Sequence, residues 1–166
     1  MIDKTQLLEW IRGIDKRLVR KITLVAVGGT AMTLLGLKPS TKDVDFCIAS
    51  EDKQAFEKAL DDAFRVDIFT DGYIFSEQLP EDYLEKSREI LELRNIKLHA
   101  LSYVDIVVTK AARLNARDEE DIKAAAKFVS KDELIRRFNQ VRETYAGNEE
   151  DYTLNFNYIL KNYFSG

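Results

Sequence analysis

A pair of glycines between a short apolar strand and a helix is the feature that most constrains this fold. Residues 24–27 have the β-propensity of a strand, and Gly28, Gly29 and Thr30 follow them directly. Glycine permits a sharp turn and lets a ligand approach the backbone closely. A helix predicted over residues 31–36 begins at this turn, and the N-terminus of a helix favours an anion. The sequence therefore predicts a phosphate cradle.

The strand predicted next, over residues 43–48, carries two carboxylates on one face. Because side chains alternate along a strand, Asp43 and Asp45 lie on the same side, and the apolar residues between them point into the core. Neighbouring carboxylates repel each other unless a cation lies between them. A phosphate cradle beside them favours a nucleoside triphosphate carried on Mg²⁺. The alternative is a solvated pair on an edge strand, which the apolar neighbours disfavour.

The composition and charge of the chain limit its partners and its compartment. The chain has 166 residues, a formal net charge of −4 and a single cysteine, Cys47. A negative net charge gives no general attraction to nucleic acid, although a local basic patch stays open. One cysteine cannot form an internal disulfide, which is typical of a reducing compartment. Since neither a membrane span of about 20 apolar residues nor a signal-peptide pattern is found, we expect a cytoplasmic protein.

Apolar periodicity predicts an α/β core followed by helices. The predicted elements are helix 4–19, strand 22–27, helix 31–36, strand 43–48, helix 51–63 with Ser50 as its cap, strand 64–69, a helical turn over 80–86, strands 87–93 and 96–101 joined at Arg94-Asn95, and helices 103–116, 118–129, 131–145 and 151–164. Ser102 and Asp118 are predicted to cap two of the later helices. We expect residues 1–101 to form a sheet flanked by helices, and residues 102–166 to form a helical cap packed on it as one compact unit.

These residues resemble the nucleotidyltransferase superfamily, which has the polymerase-β-like fold. The likeness is greatest to its small prokaryotic members of the toxin–antitoxin and antibiotic-modifying types. It covers roughly residues 22–128 and is carried by four blocks of sequence: Gly28-Gly29-Thr30-Ala31, Ser40-Thr41-Lys42-Asp43-Val44-Asp45-Phe46, Val66-Asp67-Ile68, and the helix region that ends at Lys110 with Arg117-Asp118 and Asp121 beyond it. The resemblance implies a mixed sheet flanked by helices. It also implies transfer of a nucleoside monophosphate from a triphosphate to an acceptor hydroxyl, with release of pyrophosphate.

The resemblance also implies roles for individual residues. Three carboxylates would be catalytic and would hold one or two Mg²⁺ ions: Asp43, Asp45 and Asp67. Asp67 would in addition help to deprotonate the acceptor. Five residues would bind the nucleotide: Gly28, Gly29, Thr30, Lys42 and Lys110. Of these, Lys110 is also compatible with a surface lysine at a helix end, and Lys42 with a solvated one.

The expected donor is a nucleoside triphosphate, with ATP favoured, and the acceptor is a protein, an RNA such as tRNA, or a small molecule. Two other interpretations stay open: a nucleotide-binding module that has lost turnover, and an antitoxin that covers a partner protein. The acidic set disfavours the first of these, because a chain without turnover has no physical need for clustered carboxylates. The sequence predicts neither the acceptor nor the oligomeric state.

Overall fold

The computed structural model describes residues 1–164 of the chain, which divides into two compact units. The first unit contains Met1–Asp71 and Lys86–Leu101, and the second contains Gly72–Glu85 and the described residues 102–164. The segment Gly72–Glu85, which sequence analysis assigned to the first domain, thus belongs with the helices that follow Leu101. None of the helices within residues 1–164 has the length and apolar character needed to cross a membrane.

Residues 1–164 form nine strands, eight α-helices and one 3₁₀ turn, which confirms the predicted mixed α/β class. The strands are β1 (Ile2–Asp3), β2 (Ile22–Ala26), β3 (Ser40–Thr41), β4 (Val44–Ile48), β5 (Val66–Thr70), β6 (Tyr73–Ile74), β7 (Glu77–Gln78), β8 (Arg88–Glu92) and β9 (Ile96–Ala100). The helices are α1 (Lys4–Arg17), α2 (Gly28–Leu34), α3 (Lys53–Ala59), α4 (Tyr83–Lys86), α5 (Tyr103–Ala111), α6 (Ala116–Ala126), α7 (Lys131–Arg142) and α8 (Glu149–Tyr163), and the 3₁₀ turn is Ser50–Asp52.

Five strands of the first unit form a mixed sheet in the order β5-β4-β2-β9-β8. Strand β2 pairs antiparallel with β4 and parallel with β9, while β5 lies parallel to β4. Strands β8 and β9 form the predicted hairpin. Strand β4 lies between two neighbours, as its apolar residues predict, and all five of its residues are buried. Both of its faces are therefore covered, including the face that carries Asp45.

An aromatic cluster holds α1 and α3 against one face of this sheet. The rings of Trp10 on α1 and Phe46 on β4 have centroids 6.2 Å apart, and Phe56 on α3 lies edge-on to Phe46 at 6.0 Å. The Trp10 indole also donates a hydrogen bond of 3.0 Å to Asp61. Helix α1 forms as predicted because its buried residues recur at helical spacing and so present one apolar stripe to the sheet.

The second unit packs α6, α7 and α8 around α5. The ring of Phe138 on α7 stacks on Tyr152 and Phe156 of α8, with centroids 5.1 Å and 3.6 Å apart. The Tyr152 hydroxyl donates a hydrogen bond of 2.9 Å to the carbonyl of Val108 on α5. Helix α5 begins after Ser102, whose hydroxyl accepts the N–H of the third helical residue, and this confirms the predicted cap.

Three other predicted helix starts are corrected. Helix α2 begins three residues earlier than predicted, at Gly28, whose φ of 55° suits glycine. Ser50 does not cap a helix, because it is the first residue of the 3₁₀ turn and Ala49 precedes that turn. Asn115, not Asp118, caps α6: its side chain accepts the Asp118 N–H at 2.9 Å, and Asp118 accepts the Asn115 N–H at 3.2 Å in return.

Candidate active site

The predicted phosphate cradle and the predicted acidic residues lie on neighbouring elements of the first unit. Val27, which precedes α2, donates its N–H to the carbonyl of Asp45 at 3.1 Å. The pairing of β2 with β4 thus sets the first turn of α2, which contains Gly28, beside Asp45. Asp45 and Asp67 are register partners on the parallel strands β4 and β5. Their side chains therefore leave the sheet on the same face.

Two threonine hydroxyls fix the backbone that carries the acidic pair. The buried Thr30 hydroxyl donates to the carbonyl of Asp43 at 2.9 Å and accepts the N–H of Asp45 at 2.9 Å. The Thr41 hydroxyl donates to the same Asp43 carbonyl at 2.9 Å. Thr30 therefore connects α2 to β4, and its predicted contact with phosphate stays a prediction. Thr41 is a positioning residue that sequence analysis missed.

The short strand pair β1–β3 anchors the segment that leads into Asp43. Ile2 pairs antiparallel with Thr41, and Asp3 pairs with Ser40. Asp3 also caps α1, because its side chain accepts the N–H of Gln6 at 2.9 Å. The segment before Asp43 is thus held from one side by β1 and from the other by the threonine hydroxyls.

A cavity of about 520 Å³ opens at the exposed carboxylates of this region. Asp43 and Asp67 line it together with Lys42 and Arg65, and all four residues are exposed. Carboxylate oxygens suit a divalent cation, and Lys and Arg side chains suit phosphate oxygens. The cavity therefore combines both kinds of group. Arg65 was not singled out from the sequence because it belongs to no motif, although the predicted strand 64–69 places it on the same face as Asp67.

The donor set of this region fits Mg²⁺ in one particular way. Among residues 1–164, no group of three or more His, Cys, Asp or Glu side chains converges into a preformed metal site. Magnesium, however, commonly takes only one or two carboxylates and completes its octahedron with phosphate oxygens and water. Asp45 and Asp67 in register, with Asp43 two residues before Asp45, offer oxygen donors of that kind. They fit an ion that arrives with a triphosphate.

Lys110 lies in the second unit, where its ammonium has protein partners. Its Nζ is 2.8 Å from Asp121 and 3.7 Å from Asp118, and its side chain is only 3% exposed. Arg113 adds two hydrogen bonds to Asp118, at 2.8 Å and 2.7 Å. Burial by itself raises the pKa of Asp118, but the Arg113 hydrogen bonds bring it below its usual value. Lys110 thus balances charge between α5 and α6, and its predicted contact with phosphate stays a prediction.

Replacing Gly29 by alanine is expected to displace Thr41 and to lower stability by about 1–3 kcal/mol. A Cβ at Gly29 would lie 2.5 Å from Thr41 Oγ1, and the Thr41 side chain is buried, so the hydroxyl must move. Its hydrogen bond to the Asp43 carbonyl would be lost with that movement. Chemical denaturation of the purified variant measures the change in the free energy of unfolding.

Two further variants test the cause of this effect. The Thr41→Ala substitution removes the clashing hydroxyl. Adding Gly29→Ala to Thr41→Ala is therefore expected to lower the free energy of unfolding by less than adding Gly29→Ala to the wild-type protein. Gly13→Ala is the matched control, since a Cβ there meets nothing within 4 Å and α1 gains helix propensity. Equal destabilisation at Gly13 and Gly29 would contradict the steric explanation.

Comparison with known proteins identifies the family of the chain. The chain belongs to the family described as "Nucleotidyltransferase of unknown function (DUF6036)", whose sequence pattern matches residues 5–164. This confirms the predicted membership of the nucleotidyltransferase superfamily. The crystal structure of a proposed nucleotidyltransferase from Thermotoga maritima is similar to the chain, with 19% identity, a TM-score of 0.43, and coverage of 61% of this chain and 80% of that one. No curated protein matches the chain.

Proposed function

We propose that this member of the nucleotidyltransferase family is a Mg²⁺-dependent enzyme. It transfers a nucleoside monophosphate from a nucleoside triphosphate, with ATP favoured, to an acceptor hydroxyl and releases pyrophosphate. The observation that supports this best is the register of Asp45 with Asp67 beside the cavity that Asp43, Lys42 and Arg65 line. Such a cavity offers separate places for a divalent cation and for phosphate oxygens.

In the proposed reaction the acceptor oxygen attacks the α-phosphorus, the bond from that phosphorus to the bridging oxygen breaks, and pyrophosphate leaves. The acceptor proton passes to the exposed carboxylate of Asp67. Asp43, Asp45 and Asp67 would hold the magnesium, which when bound offsets the negative charge of the reacting phosphates. Lys42 and Arg65 would hold phosphate oxygens through charge-assisted hydrogen bonds.

The glycines contribute backbone donors to the same reaction. Gly28 and Gly29 lie in the first turn of α2, where N–H groups have no partner within the helix. These groups would donate to the β and γ phosphates of the leaving pyrophosphate. Because a Cβ at Gly29 would clash with Thr41, only glycine lets the backbone lie this close to Thr41.

Labelling the nucleoside triphosphate at two different phosphates tests the proposal. The protein is incubated with cell extract and each nucleoside triphosphate, labelled in one set at the α-phosphate and in another at the γ-phosphate. We expect the α label to appear in an acceptor, the γ label to appear in pyrophosphate, and both to require Mg²⁺. Transfer of the γ label to an acceptor would instead show a phosphotransferase. Nucleotide binding without transfer, unaffected by Mg²⁺, would show a binding module.

Arg65→Ala is expected to raise the KM for the nucleoside triphosphate about tenfold, with a smaller effect on kcat. Arg65 lines the cavity but is not assigned to the reacting atoms, so its loss should weaken substrate binding first. Steady-state pyrophosphate release at varied nucleotide concentration measures both constants. Arg12→Ala, on the exposed face of α1, is the matched control and should leave both unchanged. An unchanged KM in Arg65→Ala would exclude Arg65 from the phosphate site.

A further inference from the structure

The second unit contains a cavity of about 440 Å³ that the proposed reaction does not use. This volume lies in the range of roughly 300–1,000 Å³ that is usual for small-molecule sites. Its walls come from the β6–β7 hairpin, from the C-terminal end of α5 and from the connection between α7 and α8. The lining residues are Phe75, Ser76, Glu77, Thr109, Ala112, Arg113 and Tyr145.

Glu77 is the notable group in this cavity because one of its oxygens has no partner. The residue is fully buried, and Oε2 accepts the N–H of Ser76 at 3.2 Å. Oε1 is buried and has no hydrogen-bond partner. Among residues 1–164, Glu77 is the only residue that both lines this cavity and has a buried side-chain oxygen or nitrogen without a partner. A buried polar atom without a partner is costly, and native proteins rarely keep one without a reason. Burial raises the pKa of Glu77 to about 8.

The other walls of the cavity combine apolar groups with polar ones, and its one cationic side chain is paired. The guanidinium of Arg113 binds Asp118 through two hydrogen bonds and lies 5.5 Å from the centre of the Phe75 ring. One face of Tyr145 stacks on Tyr152 at 4.3 Å. Phe75 has a φ of 55°, a left-handed backbone conformation that costs energy for any residue other than glycine. Beside Glu77 the cavity thus offers aromatic and methyl carbons together with a guanidinium whose charge Asp118 balances.

We propose that this cavity binds a small organic ammonium ion whose body is apolar. Binding uncovers the buried Oε1 of Glu77, which then accepts a hydrogen bond from the ammonium, and the apolar body lies against Phe75, Tyr145 and Ala112. An anion would meet the Glu77 carboxyl and would find the Arg113 charge already balanced by Asp118. A cation instead takes the place of the proton that burial favours on Glu77. The site does not depend on the function proposed for the first unit.

The charged and titratable groups around Glu77 define how binding should depend on pH. Arg113 and Asp118 act on it electrostatically, and the hydroxyls of Tyr145 and Tyr152 lie near enough to be affected by it. Burial raises the pKa of both tyrosines, and the Arg113 contacts keep Asp118 ionised, so none of the four changes charge near neutral pH. Glu77 does change. Since only ionised Glu77 neutralises a cation, affinity should rise as the pH approaches and passes about 8.

Binding of 2-phenylethylammonium to the full chain, followed by NMR titration, tests the proposal against the neutral isostere 2-phenylethanol. We expect affinity for the ammonium to rise about 25-fold from about pH 6.5 to about pH 8.5, which is the change in the ionised fraction of a group with a pKa near 8. Affinity for the alcohol should not rise. Glu77→Gln should lose the preference for the ammonium at every pH, and its folding is checked by thermal melting.

Glu81→Gln, which removes an exposed carboxylate from the same segment, is the matched control and should keep both the affinity and its pH dependence. Ammonium binding that equals alcohol binding, that survives Glu77→Gln, or that does not change with pH would overturn the proposal. Failure of the wild-type protein to bind the ammonium at millimolar concentration would overturn it as well.

Discussion

Replacing Asp67 by asparagine is expected to lower the rate of nucleotidyl transfer by about 10²- to 10⁴-fold without affecting the fold. Asp67 is exposed at the cavity that it shares with Asp43, and it is in register with Asp45. Asparagine keeps the shape of the side chain but can neither accept the acceptor proton nor add negative charge for a cation. The measurement is the initial rate of pyrophosphate release at saturating nucleotide and Mg²⁺.

The control for this variant is Asp62→Asn. Asp62 is also exposed and precedes the same strand, but it does not line the cavity, so the substitution makes the same change of charge outside the site. Thermal melting of both variants should match the wild-type protein, since exposed substitutions usually change stability by less than about 0.5 kcal/mol. An Asp67→Asn protein that retains more than about a tenth of the wild-type rate would remove Asp67 from the catalytic set.

The part of the candidate site that could be predicted from sequence is the part encoded by neighbouring residues. The strand before Gly28, the glycine turn and the alternation through Asp43 and Asp45 are all local patterns, and the structure places these elements side by side. The register of Asp45 with Asp67 is a longer-range feature. The resemblance to the nucleotidyltransferase superfamily implied that Asp67 joins the acidic set, whereas the register itself is seen only in the pairing of β4 with β5.

The parts that could not be predicted depend on pairing between distant or very short segments. Strands β1 and β3 have two residues each, too few for an alternating pattern, and they pair across almost forty residues. Thr41 has no feature in the sequence that marks it as a partner of Gly29. The β6–β7 hairpin is equally short, and its Phe75 takes a positive φ that sequence gives no reason to expect from phenylalanine.

Charged residues show the same limit most clearly. A lysine at the end of a helix can face solvent, a ligand or another helix, and these choices have the same local sequence. The structure pairs Lys110 with Asp121, eleven positions later, and with Asp118. Asn115 and Asp118 are both good capping residues, so only the observed hydrogen bonds show which of the two begins α6. Partner identity is a tertiary property, whereas the preference for a helix start is local.

Replacing Arg137 by methionine is expected to destabilise the protein by about 3–5 kcal/mol. The Arg137 guanidinium is 3% exposed, and its Nε and Nη2 bind the two carboxylate oxygens of the fully buried Asp105. Its Nη1 donates to Asp82 at 2.8 Å. Methionine fills a similar space but leaves the carboxylate of Asp105 buried without its partner. Urea denaturation measures the loss as a change in the free energy of unfolding.

The double variant Arg137→Met with Asp105→Leu distinguishes a lost attraction from an uncompensated charge. If the cost of Arg137→Met comes mainly from the stranded carboxylate, removal of that carboxylate should recover a large part of the stability, because apolar replacement of a buried ion pair is often close to neutral. Arg136→Met is the matched control, since Arg136 is the neighbouring, exposed residue of α7 and its loss should cost less than about 0.5 kcal/mol. A double variant no more stable than Arg137→Met would mean that packing around the guanidinium, and not charge balance, makes Arg137 necessary for the second unit.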